Sequence, residues 1–220
     1  MTPIAYDPAE TAFVLVDPYN DMLGEGGLVW PIVREVAEAV GTRQHLVELL
    51  GAVRGAGLPV VIAPHHRWRP GDVEDWRYAA RGHRALRDQK LFADGEFGGD
   101  WYPGLHPRAG EAIATEHWAM SGFAGTDLDL QLRQRGIRHI ILAGMTAPGC
   151  VEGTGRYALE LGYAVTLVKD ATAAFTPELM RAVEATGPLY AEAVLSTAEV
   201  IAALPEVRPE DQCASESAAR

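Results

Sequence analysis

Basic residues are scarce in this chain, and long hydrophobic runs are absent. The 220 residues include 19 Lys and Arg against 30 Asp and Glu, which gives a formal net charge of −11. A surface of that sign repels a phosphate backbone, so we expect no nucleic-acid partner. No apolar run reaches the roughly 18–20 residues that cross a bilayer, and the first residues carry no basic stretch ahead of an apolar one. These absences predict a cytoplasmic protein that has no membrane partner.

Cysteine is also scarce. Cys150 lies in a glycine-rich junction, and Cys213 lies in the polar C-terminal sequence DQCASESAAR. Disulfide frameworks need an oxidising compartment and several spaced cysteines, and this sequence indicates neither. We therefore interpret both residues as free thiols.

Short apolar runs alternate along the chain with longer amphipathic stretches. Strands are predicted at 12–16, 59–63, 111–116, 138–143, 164–168 and 193–195. Helices are predicted at 31–55, 128–135, 150–162, 177–190 and 197–204, and a long loop at 65–110. Continuous Val, Ile and Leu runs are typical of strands covered on both faces, and their alternation with helices favours a parallel sheet. The sequence therefore predicts an α/β fold, a three-layer αβα sandwich with a doubly wound, mainly parallel sheet.

Length favours a single domain. A chain of this size buries roughly 70% of the surface that it exposes when unfolded, so one core is sufficient. We assign residues 1–204 to this domain. The sequence from 205 to 220 is polar, and we expect it to form a mobile C-terminal tail.

Sheets of this kind bind ligands outside the carboxyl ends of their strands. Asp17 follows the first predicted strand, and His65 and His66 follow the second. The Asp17 carboxylate is placed to exchange a proton with a nearby thiol, although aspartate at a strand end also commonly forms a turn. His65 and His66, together with Asp72, are candidate metal ligands, but no further ligand follows at a recognised spacing.

Cys150 closes the strand-to-helix junction at 144–150. If the helix begins near Cys150, free backbone N–H groups and the helix dipole favour the thiolate and lower the pKa of the thiol. The same N–H groups can hold a developing oxyanion. The alternative interpretation is a small buried residue that fills the start of a helix. Spacing alone leaves both interpretations open.

Three segments of the sequence are similar to a known family. They are FVLVDPYNDM at 13–22, HWAMSGFAGTDLDLQLRQRGIRHIILAGM at 117–145, and CVEGTGR at 150–156 with LELGYAVTLVKDATAAF at 159–175. Through them the chain resembles the isochorismatase-like cysteine hydrolases from about residue 11 to about residue 204. The resemblance implies a doubly wound αβα domain with an Asp–Lys–Cys triad, in which the Cys attacks an amide carbonyl and the Asp is the general base.

Mapped by motif, the resemblance implies that Asp17 is the base and Cys150 is the nucleophile. It also implies a cis peptide bond between Met145 and Thr146. The backbone N–H groups of Thr146 and Cys150 would then form the oxyanion hole.

The Lys of the implied triad is missing. In the family it lies four residues before the Ser of a Ser-x-Phe segment; that Ser is Ser121 here, and four residues before it is His117. The chain's two lysines, Lys90 and Lys169, are at no matching place.

The missing Lys has two interpretations. In one, His117 replaces the Lys, as a cation or as a neutral hydrogen-bond donor, and its reference pKa of about 6.5 makes activity more sensitive to pH. In the other, the triad is degenerate and the protein binds or converts something else. We favour the replacement, because the other catalytic positions are in place.

The resemblance implies a hydrolase that cleaves the C–N bond of a small amide or carbamoyl-type molecule through a thioester. It implies no cofactor and no metal, because the first motif lacks the Asp/His cluster with which nicotinamidase-type members hold a metal. Relatives form dimers and larger assemblies, so we expect a homo-oligomer.

Two alternative functions remain open. One is an isochorismatase-type vinyl ether hydrolase, which needs no thiol nucleophile, and the other is a non-catalytic binding or assembly protein of the same fold.

Aromatic residues near the motifs are candidates for the walls of a substrate pocket. We assign this role to Tyr19, Trp30, Trp118 and Phe123, which are equally compatible with a core or an oligomer interface. The long loop also carries Arg67, Arg69, Arg77 and Arg81. These arginines indicate an anionic group on the substrate, although solvated surface arginines are the simpler interpretation.

Overall fold

Six parallel strands form a single sheet in the computed structural model, which describes residues 5–206. The strands are β1 (Thr11–Val16), β2 (Val60–Ala63), β3 (Ala112–Ile113), β4 (His139–Met145), β5 (Ala164–Ala173) and β6 (Ala193–Leu195). Their order across the sheet is β3-β2-β1-β4-β5-β6, and every neighbouring pair is parallel. The predicted α/β fold with a doubly wound parallel sheet is confirmed.

Helices flank this sheet. Within the described residues they are α1 (Asn20–Leu23), α2 (Trp30–Val40), α3 (Thr42–Gly55), α4 (Arg81–Gln89), α5 (Leu128–Arg133), α6 (Glu152–Glu160), α7 (Pro177–Thr186) and α8 (Thr197–Ala203). The amphipathic helix α3 shows why they pack there. Its buried residues Leu46, Leu49, Leu50 and Val53 recur every three or four positions and form one apolar stripe, and α3 contacts β5 and α8.

The elements differ from the predicted ones in several places, and three of these differences have a clear physical reason. The predicted helix at 31–55 is two helices, because Gly41 adopts a left-handed φ of 74° and ends α2 before α3 begins. The predicted loop at 65–110 contains α4, whose only buried side chain among nine residues is Leu86. Strand β5 continues to Ala173, past its predicted end at 168. Hydrophobic periodicity misses a helix with one buried residue and does not register a single-residue break.

The strand order reverses at β1, since β2 and β3 lie on one side of it and β4 to β6 on the other. Every residue of β1 is buried, and truncation of Leu15 at its centre to Ala is expected to cost about 2–5 kcal/mol. Gly144 allows β4 to approach β1, because a Cβ there would lie 2.1 Å from the carbonyl oxygen of Val16. The carboxyl ends of β1 and β4 thus meet at the position where such sheets bind ligands.

The C-terminal stretch lies largely outside the described part of the chain. Helix α8 ends at Ala203, and the predicted tail at 205–220 is outside the described residues from 207 onward, as is Cys213. Between residues 5 and 206, no helix combines the length and the apolar character needed to span a bilayer.

Candidate active site

Asp17 lies directly after β1, at the crevice between β1 and β4. Its backbone has a positive φ of 49°, a conformation that aspartate tolerates better than most residues, and Pro18 follows it. The Asp17 N–H donates to the carbonyl oxygen of Ala63 at 3.3 Å, which ties the turn to the end of β2. The side chain is fully buried. Its charge is therefore stabilised by neighbouring groups rather than by bulk water.

His117 reaches the same crevice from the segment that follows β3. Its N–H donates to the carbonyl oxygen of Pro64 at 2.9 Å, and its own carbonyl accepts from the N–H of His66 at 2.7 Å. The segment around His117 thus runs parallel to the end of β2. His117 Nε2 lies 3.1 Å from Asp17 Oδ1, and the imidazole is only 1% exposed. With a carboxylate at this distance, Nε2 is assigned as the N–H donor.

Cys150 lies in the turn between β4 and α6. A cis peptide bond joins Met145 to Thr146, as the resemblance implied, and a π-helical turn over Ala147–Val151 carries the thiol. The Cys150 Sγ donates to the carbonyl oxygen of Ala119 at 3.5 Å. The thiol is therefore linked to the same segment that carries His117.

The three side chains meet in one buried cluster. A carboxylate oxygen of Asp17, a ring nitrogen of His117 and the Sγ of Cys150 all lie within 4.8 Å of one another. Close packing behind the cluster requires Gly153 in α6, because a Cβ there would lie 2.0 Å from the carbonyl oxygen of Met120. The structure thus brings together the three residues that the sequence offered as a triad.

Burial raises the pKa of the Cys150 thiol well above its usual range, and the nearby Asp17 carboxylate raises it further. Hydrogen bonding from the backbone N–H groups of Thr146 and Cys150 lowers the pKa but does not offset these two effects. The direction is opposite to the lowering expected from a helix N-terminus alone, so that expectation was wrong. Desolvation and a like charge both disfavour a thiolate. The resting group is a neutral thiol next to a carboxylate.

Two polar atoms of the cluster lack a hydrogen-bond partner. Asp17 Oδ2 and His117 Nδ1 are buried, and neither has a partner among the described residues. Buried polar atoms are paired in the great majority of cases, so each exception calls for an explanation. Both atoms belong to the cluster of Asp17, His117 and Cys150, and each can form a hydrogen bond with a ligand that enters it.

Tyr19, a predicted substrate-binding residue, lies in a buried aromatic stack beside the cluster. Its ring stacks on Trp101 at 5.1 Å and on Phe92 at 5.2 Å between centroids. The Tyr19 hydroxyl donates to the carbonyl oxygen of His65 at 2.9 Å. The guanidinium of Arg67 lies over the ring, 4.8 Å from its centroid. These contacts fix the orientation of the Tyr19 ring.

Trp30 and Phe123 make their aromatic contacts elsewhere. Trp30 begins α2 and packs under the guanidinium of Arg43, 4.2 Å from the ring centroid. Phe123 stacks on Tyr157 and Tyr163, with centroids 5.9 and 5.7 Å away. These partners lie outside the triad, so the substrate-binding role of both residues stays a prediction.

A second polar cluster surrounds His66. The His66 Nε2 lies 2.8 Å from Asp72 Oδ2, and its Nδ1 lies 3.2 Å from Glu116 Oε2. Trp118, also predicted to bind substrate, stacks on the His66 ring with centroids 3.6 Å apart. Glu116 Oε1 accepts from Arg67 at 2.8 Å. His66 and Asp72, which the sequence analysis named as candidate metal ligands, are thus hydrogen-bonded to each other.

Glu116 is a central residue that sequence reasoning missed. Burial raises the pKa of Glu116, but hydrogen bonds from His66 and Arg67 outweigh burial and lower it to about 2. Arg69 also donates to Glu116, at 3.3 Å. Two of the four arginines that the sequence offered to an anionic substrate, Arg67 and Arg69, are therefore engaged with a carboxylate of the protein.

Asp21 has a structural function that the sequence did not indicate. This buried carboxylate accepts from the N–H of Phe92 at 2.6 Å and from the N–H of Leu28 at 2.9 Å. A Cβ at Gly98 would lie 2.5 Å from Asp21 Oδ1. Asn20 also donates to the carbonyl oxygen of Phe97 at 3.0 Å, so the Asn-Asp pair within the first motif anchors the loop that carries Phe92.

A domain comparison identifies the family to which this site belongs. The sequence profile of the isochorismatase domain matches residues 11–199. The chain belongs to the isochorismatase family.

Its relatives in this family include named amidohydrolases. Ureidoacrylate amidohydrolase RutB of Agrobacterium fabrum is 30% identical over 191 residues, which cover 81% of this chain and 82% of that protein. A cysteine hydrolase from Pseudomonas syringae pv. phaseolicola has a TM-score of 0.75 at 28% identity, covering 93% of this chain and 95% of that one. N-carbamoylsarcosine amidase from Thermoplasma acidophilum has a TM-score of 0.65 at 28% identity, covering 85% and 95%.

Proposed function

We propose that this protein is an amidohydrolase that cleaves a C–N bond of a small carbamoyl-type compound through a thioester on Cys150. The observation that carries the proposal is the convergence of a carboxylate, an imidazole and a thiol within 4.8 Å, at the point where the strand order reverses. Nucleophile, base and the group that orients the base form the arrangement expected for covalent catalysis.

The first half of the reaction forms the thioester. Asp17 takes the thiol proton while the Cys150 Sγ attacks the carbonyl carbon. The raised pKa of Cys150 keeps the proton on sulphur until attack, so the transfer to Asp17 accompanies bond formation. Negative charge develops on the carbonyl oxygen, where the N–H groups of Thr146 and Cys150 are proposed to stabilise it. The C–N bond then breaks, and Asp17 returns the proton to the leaving nitrogen.

The second half of the reaction releases the acid. Asp17 takes a proton from water, whose oxygen attacks the thioester carbon. The carbon–sulphur bond breaks, and the proton returns from Asp17 to the sulphur. The cycle thus regenerates the neutral thiol, and Asp17 carries the proton in each step.

We assign His117 the part that the resemblance gives to Lys. Its Nε2–H donates to Asp17 Oδ1 at 3.1 Å and orients the carboxylate toward the thiol. A hydrogen bond to a charged group contributes about 1.5–3 kcal/mol. His117 is in this sense a positioning residue, because it acts on the reaction through Asp17.

The relatives support the choice of substrate class. Ureidoacrylate amidohydrolase and N-carbamoylsarcosine amidase are named for substrates that carry an N-carbamoyl group. Attack on the carbamoyl carbon releases ammonia. We therefore propose a small N-carbamoyl compound as the partner of this site. The expected homo-oligomer stays a prediction, which light scattering after size-exclusion chromatography tests.

Ammonia release from a panel of small N-carbamoyl compounds tests the proposal. The wild-type protein is expected to convert at least one compound, and hydroxylamine is expected to trap the carbamoyl group on Cys150 as an N-hydroxyurea. Cys150→Ser is expected to abolish both signals, whereas Cys213→Ser at the second cysteine of the chain serves as the matched control and retains them. Ammonia release that survives in Cys150→Ser would exclude the thioester.

A further inference from the structure

The replacement of Lys by His at position 117 changes the ligand chemistry of the cluster. Asp17, His117 and Cys150 offer a carboxylate oxygen, an imidazole nitrogen and a sulphur, which are the three donor types that hold zinc in proteins. We propose that this cluster binds a single Zn²⁺ ion and that the bound ion masks the thiol. The inference does not depend on amidase activity, because it concerns the three side chains as metal ligands and not as catalytic groups.

The spacing of the donors is close to that of a zinc site. Asp17 Oδ1 and His117 Nε2 lie 3.1 Å apart, and the Cys150 Sγ lies within 4.8 Å of both partners. A tetrahedral ion with Zn–N and Zn–S bonds of about 2.0 and 2.3 Å holds those two donors about 3.5 Å apart. Closing the cluster onto an ion therefore needs a shift on the order of 1 Å, which side-chain rotation supplies.

The cluster also has unused donor capacity. Asp17 and His117 are both at least nine-tenths buried, and Asp17 Oδ2 and His117 Nδ1 have no partner in the described part of the chain. Leaving a buried polar atom unpaired costs about 1–3 kcal/mol. A cation in the cluster would offset the part of that cost that arises from Asp17, because the carboxylate would coordinate it.

Binding changes the thiol in a defined way. The Cys150 Sγ loses its proton to solvent, and its electron pair enters the Zn–S bond. Three protein ligands leave the fourth position of the ion to water. A sulphur whose electron pair is shared with zinc does not attack a carbonyl carbon or an alkylating agent. Zinc is thus a reversible inhibitor of the thiol.

Co²⁺ is the probe for this site, because a cobalt–thiolate bond absorbs in the near ultraviolet. Protein carrying Cys213→Ser, which leaves Cys150 as its only thiol, is titrated with Co²⁺. We expect the charge-transfer band to saturate at a single equivalent and to disappear when Zn²⁺ displaces Co²⁺. Zn²⁺ is also expected to slow iodoacetamide labelling of Cys150 at least about tenfold, and a chelator is expected to restore the rate.

Variants separate this site from adventitious binding. His117→Lys and Cys150→Ser are each expected to lose the band, while the exposed His106→Gln retains it as the matched histidine control. Circular dichroism checks that each variant is folded, and Asp17→Asn is the alternative variant if His117→Lys fails to fold. No band in the wild-type cluster, or an undiminished band in a folded His117→Lys, would overturn the proposal. Neither readout uses a substrate, so a failed search for amidase activity leaves this test intact.

Discussion

Two histidine–carboxylate groups lie side by side at the carboxyl edge of the sheet, and they differ in how completely they are hydrogen-bonded. His117 pairs with Asp17 through Nε2, while its Nδ1 and the second carboxylate oxygen lack a partner within residues 5–206. His66 pairs through both ring nitrogens, with Asp72 and with Glu116. The first group therefore has two polar atoms that can pair with a ligand. In the second group, both ring nitrogens of His66 are already paired with carboxylates of the protein.

The alternation of side chains along two extended segments separates these groups. The ends of the segments after β2 and β3 run parallel, with a bridge between His65 and His117. Successive side chains of an extended chain point to opposite sides. His65 and His117 therefore share one side, with ring centroids 5.0 Å apart, whereas His66 and Glu116 meet on the other. Neighbouring residues of one segment thus enter two different environments.

This difference indicates that one of the two groups contributes mainly to stability and the other mainly to reactivity. Fully paired charges hold loops together, whereas unpaired buried groups cost stability and persist where a function needs them. The comparison therefore predicts opposite outcomes for the two groups. Changes at Asp17 or His117 should remove activity and leave the fold stable. Changes at Glu116 or His66 should lower stability and leave activity intact.

Asp17→Asn is expected to have the largest effect. The amide keeps the shape of the side chain but cannot take the thiol proton, so kcat/KM for ammonia release falls about 10³-fold. Because Asp17 is a buried charge with an unpartnered oxygen, we expect the midpoint of thermal unfolding to stay the same or to rise. Steady-state kinetics and thermal denaturation of the same preparation measure both effects. Activity within about tenfold of the wild type would place the base elsewhere.

His117→Ala is expected to lower kcat/KM about 10²-fold, because Asp17 loses the donor that orients it. His117→Lys should recover part of this loss, because an ammonium group is also a donor that can orient the Asp17 carboxylate. Steady-state kinetics of the wild type, His117→Ala and His117→Lys make the comparison, with circular dichroism to check that each protein is folded. Equal kcat/KM for His117→Ala and the wild type would contradict the positioning role.

The sequence predicted the sheet and the members of the triad because their signals are local. Buried strands leave continuous apolar runs, as in β1 and β4, and parallel strands bring the residues that follow them to one edge. Asp17 directly follows β1, and Cys150 lies in the turn that follows β4. His117 follows the very short β3, and its position came from the family motif rather than from periodicity.

The electrostatics could not be predicted, because they depend on distances that only the fold sets. Arg67 and Glu116 are 49 residues apart in the chain and form a hydrogen-bonded ion pair at 2.8 Å. The pKa of Cys150 is raised because Asp17, which is distant in sequence, lies beside it in a buried site. The local feature, hydrogen bonding from the backbone N–H groups of Thr146 and Cys150, has the weaker effect on this pKa.

Glu116→Gln is expected to destabilise the fold and to spare turnover. The carboxylate accepts hydrogen bonds from Arg67 and pairs with His66, so its neutralisation should lower the free energy of unfolding by about 2–3 kcal/mol. We expect kcat/KM to stay within about threefold, because this side chain points away from Asp17. Urea unfolding and kinetics measure the two effects, with the exposed Glu48→Gln as the matched control.

The effect of Glu116→Gln should depend on pH in a defined direction. The pKa of Glu116 is lowered from 4.5 to about 2 in the folded protein. A lowered folded-state pKa contributes stability above the unfolded value, and this contribution is lost as the pH falls toward the folded value. The difference between the wild type and Glu116→Gln should therefore shrink as the pH falls from 4.5 toward 2. A difference that stays constant over this range would show that the Glu116 charge is not its source.

His66→Gln is expected to have the smallest effect, and it acts at the opposite end of the pH range. Burial lowers the pKa of His66, but the hydrogen bonds to Glu116 and Asp72 raise it more, so the net direction is upward. A raised folded-state pKa contributes stability below the unfolded value of about 6.5, and the contribution is lost as the pH rises through the folded value.

The unfolding free energy of the wild type should therefore fall as the pH rises above about 6.5, and His66→Gln should lack this slope. Urea unfolding at fixed ionic strength measures the slope in both proteins, and kcat/KM is measured alongside. We expect turnover in His66→Gln to stay within about threefold of the wild type, because both ring nitrogens face carboxylates of the second cluster rather than the thiol. A slope that persists in His66→Gln, or a loss of turnover as large as that of His117→Ala, would mean that the two histidines do not divide stability from reactivity.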